Sequence, residues 1–205
     1  MEIKIEKNII KALAKIVPVK NKVGSLNGVR IEHGKNGVRL TVACQCYVFT
    51  TLVGVETTAF ESFTIPFDEF VKASKTRNPS VDLFVPENKF SKYSIDGFEF
   101  APLDEMFPIW RKLFPNDDKL LGPVVLDNKN GMPFFNPELL GEIVKTFREV
   151  SKMKNDYFPT MAVYCQNKKF MENNLILWGP ESHAMLAPMV LKDLDFQYAG
   201  ICDES

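Results

Sequence analysis

The stretch Phe107-Pro108-Ile109-Trp110-Arg111-Lys112-Leu113-Phe114-Pro115 sets the reading of the whole chain. Its two prolines fix φ and remove backbone donors, so the segment is stiff. A Trp, two Phe, an Ile and a Leu make it too apolar for a solvated linker, and Arg111 and Lys112 sit at its centre. A segment that is stiff, apolar and basic at once is either an ordinary buried loop or a connector packed between two folded parts. The sequence on its two sides decides between them.

Before the connector one pattern occurs twice. Residues 2–5 alternate as a strand, and Asn8 to Val17 then carries apolar residues at helical spacing until Pro18 stops it. Three strands follow, over Leu26–Glu32, Val38–Ala43 and Tyr47–Val55, the first two joined by His33-Gly34-Lys35-Asn36-Gly37, with Asn-Gly as the turn signal. The β-α-β-β-β order then returns. Ser62–Ile65 is a strand, and Pro66-Phe67-Asp68-Glu69 opens a helix running to Lys75 with acids in its first turn. Strands follow at Val81–Val85, Phe90–Ile95 and Phe98–Leu103, with a turn at Asp96-Gly97.

After the connector the pattern comes a third time. Val124–Leu126 and Pro133-Phe134-Phe135 flank a turn. Asn136 is placed to cap a helix whose first residue is Pro137 and whose apolar face is Leu139, Leu140, Ile143, Val144 and Phe147. Strands at Met161–Cys165, Phe170–Leu177 and Ala184–Leu191 complete the unit. VDLFVPENKF (81–90) lies over MAVYCQNKKF (161–170). The expected fold is α+β, with helices on one face of antiparallel sheets. The expected domains are 1–115, made of two units, and 116–205, made of one unit and a tail.

The composition excludes several classes. The 205 residues, 45% of them hydrophobic, can build a sizeable core. With a net charge of −1 there is no overall basic excess to hold nucleic acid, so DNA binding requires charge segregated onto one face. No apolar run reaches membrane length, and the alternating first residues are unlike a signal peptide, so a cytoplasmic protein is expected. Segregated charge is found in the helices. Lys7, Lys11 and Lys15 form one stripe, Lys72, Lys75 and Arg77 close the second helix, and Lys145, Arg148 and Lys152 crowd the third. Any one of these could be a solvated helix face. Repeated in three units, they make a basic surface suited to phosphate backbones without base reading.

The repeat and the connector together resemble the bacterial β sliding clamp, the processivity factor of the replicative DNA polymerase. The family joins its middle and last domains through FP-x-[YW]-R-R-h-hP, where h is apolar, and ends on apolar-apolar-Met-Pro-Met-Arg-Leu. Here these stand as Phe107–Pro115 and Met185-Leu186-Ala187-Pro188-Met189-Val190-Leu191. The resemblance covers about 190 residues. It departs where the family has Thr-Asp-Gly-His-Arg, here Cys44-Gln45-Cys46-Tyr47-Val48, and in the tail after Leu191. Family chains hold three domains of two units each, against three units here.

The resemblance implies a ring with its helices inward on duplex DNA, and partners such as DNA polymerase docking short hydrophobic peptides between two domains. Carried over by position, that peptide pocket is Cys44, Cys46, Tyr47, Phe49, Pro108, Lys112, Leu113, Met185, Leu186, Pro188 and Met189. The alternative at this pocket is plain domain-junction core.

No phosphate-binding glycine loop, zinc-protease motif or dinucleotide fingerprint is present, and Cys44-x-Cys46 lacks zinc-finger spacing. No catalytic residue, metal or cofactor is therefore expected. The first reading is a non-enzymatic, clamp-like replication accessory protein. The alternative keeps the fold without encircling DNA, as a module that binds or competes for clamp partners. A third, an enzyme using a thiol near Cys44, needs a reactive cysteine. A half-domain left without its sister should associate with another copy unless the tail covers it.

Overall fold

A computed structural model describes residues 1–17, 24–34, 36–44, 46–87, 91–103, 107, 136–150, 160–165, 173–178 and 182–186. In the last three stretches it describes the backbone and the side chains of Leu177, Ser182 and Ala184. Within the connector this covers Phe107 alone, which is buried. Residues 108–135, the expected strands at 124–126 and 133–135, and the tail lie outside the described residues.

The first unit is β1 (Glu2–Glu6), α1 (Lys7–Ile16), β2 (Gly28–Gly34), β3 (Gly37–Ala43) and β4 (Tyr47–Val53). The second is β5 (Phe63–Pro66), α2 (Phe67–Lys75), β6 (Ser80–Phe84), β7 (Tyr93–Ile95) and β8 (Phe98–Phe100). Each unit gives its first strand to the other's sheet. β1 pairs with β6, placing Glu6 opposite Ser80, and β5 pairs with β2, placing Pro66 opposite Gly28. The exchange is reciprocal down to single bonds. The first amide of α1, on Lys7, donates to Pro79 O at 3.1 Å, and the first amide of α2, on Phe67, donates to Asn27 O at 2.9 Å.

The apolar spacing of α1 buries Ile9, Ile10, Ala12, Leu13 and Ile16 and leaves Lys11 and Lys15 in water. In α2, Phe70 and Ala73 are buried. The two helices pack together, and α1 also touches the third helix, α3 (Pro137–Val150). Asn136 caps α3 as its residue type dictates, its Oδ1 accepting from the amides of Glu138 at 3.0 Å and Leu139 at 3.1 Å. Fully buried Ile143 and Phe147 anchor α3, with the Phe147 ring edge-on to Phe49, centroids 5.0 Å apart. Burying side chains of this size contributes about 1.5–3 kcal/mol each.

The third unit adds β9 (Thr160–Cys165), β10 (Asn173–Trp178) and β11 (Ser182–Leu186). β11 pairs with β4, so these strands extend the first unit's sheet. The result is a seven-stranded sheet ordered β5-β2-β3-β4-β11-β10-β9, beside a four-stranded one ordered β1-β6-β7-β8. The hairpin between β2 and β3 differs from expectation. Gly34 pairs with Gly37, so both glycines of the expected turn tract already belong to the strands. Gly37 has φ +144°, and a Cβ there would lie 2.0 Å from Val53 O, so glycine is set by close approach of β4. At Asp96-Gly97 both φ values are positive, as the expected two-residue turn requires. β4 ends at Val53, before Gly54, and β8 ends at Phe100, two residues before Pro102, which has no amide to donate.

Candidate functional site

The helix face is built around α1, which lies between α2 and α3. Lys11 and Lys15 are exposed on it, as are Lys72 and Lys75 on α2, Arg77 beyond its end and Lys145 on α3, while Arg148 is half-buried. Lys152 lies outside the described residues. Lys7 corrects the expectation that it joins the exposed stripe. It is 8% exposed, and its Nζ donates to Ala73 O at 2.7 Å and to Thr76 Oγ1. Because α1 crosses the end of α2, the nearest acceptors for Lys7 are those of α2's last turn, where a cation also suits the helix dipole. Burial pulls its pKa below the ordinary lysine value, and the carboxylate of Asp96 opposes that shift.

Charge on this face is uneven. α1 carries lysines and no acid; α2 sets Asp68 and Glu69 against Lys72 and Lys75; α3 sets Glu138, Glu142 and Glu149 against Lys145 and Arg148. Lys15 pairs with Glu149 at 2.6 Å, Lys72 with Glu69 at 3.3 Å and Lys145 with Glu142 at 2.6 Å. The hydrogen bond from Lys145 to Glu142 raises the pKa of that ammonium. The expected three equal basic faces are thus one basic helix, α1, flanked by two mixed ones. A groove of about 500 Å³ runs between the helices, lined by Asn8, Lys11, Lys15, Ser74 and Glu149 among others. Asn8, whose Nδ2 donates to Glu149 O at 2.9 Å, and Glu149 itself were not expected here. The acids were readable in the α3 sequence, but a search for cations passes over their counter-ions.

The second expected site is the junction. Its two halves, distant in sequence, meet in register, Tyr47 opposite Leu186, Val48 opposite Met185 and Phe49 opposite Ala184. Ser182 and Thr51 join the seam through a buried hydroxyl pair 2.9 Å apart. Two of the expected pocket residues are core instead. Phe49 is fully buried against Phe147. Tyr47 is 6% exposed, its hydroxyl donates to Ile16 O, and burial drives its pKa far upward. Both side chains fall on the helix side of β4, where α1 and α3 cover them. Cys44 is half-buried and Cys46 exposed, in the turn leading into β4. Pro108, Lys112, Leu113, Pro188 and Met189 lie outside the described residues.

The Cys46 amide donates to Cys44 Sγ at 3.2 Å, yet burial dominates and pushes the Cys44 thiol up. A raised thiol is a poor nucleophile, so nothing here activates Cys44. Among the described residues no three His, Cys, Asp or Glu side chains converge on a metal site, and no helix is long and apolar enough to cross a membrane.

No family model matches the sequence, and no curated protein matches it. Solved structures do. The chain is similar to the DNA polymerase III beta subunit of Thermotoga maritima, at TM-score 0.64 and 12% identity over 94% of this chain and 66% of that one. It is similar to the DNA polymerase sliding clamp of Pseudomonas aeruginosa, at TM-score 0.64 and 9% identity over 93% and 66%. The Bacillus subtilis sliding clamp gives TM-score 0.62 and 14% identity over 94% and 65%. The chain spans about two thirds of the length of these clamps. At such identities the likeness establishes the fold, and the fold is that of the bacterial sliding clamps.

Proposed function

We propose that this protein is a non-enzymatic, clamp-like accessory of DNA replication. It binds duplex DNA without sequence preference through its helix face and takes short hydrophobic peptides of its partners, a DNA polymerase among them, at the β4–β11 junction. One observation carries the reading: in a clamp fold, the middle helix of the packed set bears lysines and no acid. Lys11 and Lys15, with Lys72 and Lys75 alongside, are exposed and supply point charges for phosphates, contacts that carry no sequence information. The ion pairs do not forbid this. An exposed pair contributes about 0–1 kcal/mol, so a phosphate can take Lys15 from Glu149. The peptide part of the reading is supported by the pairing of β4 with β11, which brings the segment after Cys44 and Cys46 against the one holding Met185 and Leu186.

The test is binding of labelled duplexes of unrelated sequence at low salt. The parent should bind all of them alike, and changing Lys11, Lys15, Lys72 and Lys75 together to Gln should weaken binding at least tenfold. A second reading, a clamp-like module that engages clamp partners without encircling DNA, draws on the acids of α2 and α3 that neutralise those faces. A parent that does not retain duplex DNA at low salt but still binds an apolar clamp-type peptide decides for it.

A further inference from the structure

Where β3 hands over to β4, the Cys44 amide donates to Tyr47 O at 2.9 Å, so the chain reverses between these two residues. The reversal carries a cysteine on either side of Gln45. In an extended strand, residues two apart have Cα atoms about 7 Å apart, at the outer limit for a disulfide. Here the chain bends at Cys46 and draws the two cysteines together. The Cys46 amide donates to Cys44 Sγ at 3.2 Å, and the two thiols hydrogen-bond to each other. Neither is in a disulfide.

Their surroundings give them different parts. Cys46 is exposed, so a dissolved oxidant reaches it first. Cys44 is half-buried, and burial pushes its thiol up, which keeps it protonated and slow towards an outside reagent. An accessible thiol beside a shielded one suits a redox pair in which the second sulfur acts only on the first. A bond between them closes a ring of three residues. It constrains the unfolded chain little, and at an exposed site it is readily reduced.

We propose that Cys44 and Cys46 form a reversible redox dithiol whose substrate is a low-molecular-weight disulfide of the glutathione kind. The Cys46 thiolate attacks one sulfur of that disulfide. A mixed disulfide forms on Cys46, and the first small thiolate leaves. Cys44 then gives its proton to water and attacks Cys46 Sγ, expelling the second small thiolate. Both leaving thiolates take up protons. Two protein thiols are thereby oxidised by two electrons, and one small disulfide is reduced to two thiols. The second step is intramolecular, so the closeness of the sulfurs offsets the small thiolate fraction of Cys44. A small thiol in excess reverses both steps. The bond lies at the start of β4, where Tyr47 stands opposite Leu186 across the seam. This inference depends on neither DNA nor peptide binding.

The test is redox titration of the folded full chain with mixtures of oxidised and reduced glutathione, followed by alkylation and tryptic mapping. The peptide from Leu40 to Lys72 has no internal Lys or Arg, so it holds Cys44 and Cys46 and neither of the other cysteines. In the oxidised parent this peptide should carry no alkyl group and weigh two hydrogens less than its reduced form. Dithiothreitol should restore the doubly alkylated peptide. Cys44→Ser should instead retain glutathione on Cys46, roughly tenfold or more above the parent, because nothing resolves the mixed disulfide. The urea-unfolded parent should need roughly threefold or more oxidised glutathione for half closure, because the turn no longer holds the sulfurs together. A parent that stays doubly alkylated throughout, or that keeps glutathione on Cys46 as Cys44→Ser does, overturns the proposal. So does closure at the same glutathione ratio in the folded and unfolded chains.

Discussion

At the scale of the residue, the structure separates look-alike side chains by burial. Lys7, Lys11 and Lys15 are equivalent in a helical repeat, yet Lys7 is tied to the last turn of α2 while the other two face water. A hydrogen bond to a charged group contributes about 1.5–3 kcal/mol, and burying the ammonium offsets part of that. Lys7→Met should therefore lower stability by about 1–2 kcal/mol at neutral pH, measured by urea unfolding. The sign of its pH dependence follows from the direction of the shift. The folded pKa lies below the ordinary 10.5. Between those two values the unfolded state binds more protons, so parent stability gains with rising pH, and the gain is absent in Lys7→Met. The two cysteines divide in the same way. With its thiol pushed up and half-covered, Cys44 should alkylate at least several-fold more slowly than exposed Cys46 at pH 8, read by peptide mass mapping. Equal rates would restore the case for a reactive thiol. The helical period was plain in the sequence. Which turn of α1 passes over α2 was not, because that depends on the exchange of β1 and β5.

Among the elements, the β4–β11 seam is what ties the third unit to the first. Thr51 and Ser182 share a buried hydroxyl bond across it. Thr51→Val leaves the Ser182 hydroxyl buried without that partner, which costs about 1–3 kcal/mol, and Ser182→Ala does the same to Thr51. The double variant should lose less than the sum of the two singles, giving a coupling of about 0.5–1.5 kcal/mol by chemical unfolding. Additive losses would mean that the seam does not hold the two hydroxyls together. The helices and hairpins were legible from local chemistry, as with Asn136 as a cap and Asp96-Gly97 as a turn. The pairing of residues 47–51 with 182–186 has no local signature in either strand, and only the likeness to clamps brought those segments near each other. The expected turn tract 33–37 was too long: His33, Gly34 and Gly37 belong to the strands, and Gly37 is required by its close approach to Val53 rather than by the turn.

At the scale of the molecule, the three α-helices among the described residues place α1 at the centre of the face proposed to hold phosphates, with acids to either side. A net charge of −1 gives no long-range attraction to DNA, so the proposed binding rests on this local patch and is expected to be salt-sensitive. Each lysine that neutralises a phosphate steepens the plot of log affinity against log salt by about 0.9. The most direct test is that slope for the parent, for Lys11→Gln/Lys15→Gln, and for Lys145→Gln. The account predicts a negative slope for the parent, flattened by about 1–2 in the α1 variant and changed less by Lys145→Gln, which lies on the mixed helix α3 beside Glu142 and Glu149 rather than on the acid-free α1. An α1 variant with the parent's slope, or a parent whose affinity ignores salt, would contradict the claim that this face binds DNA.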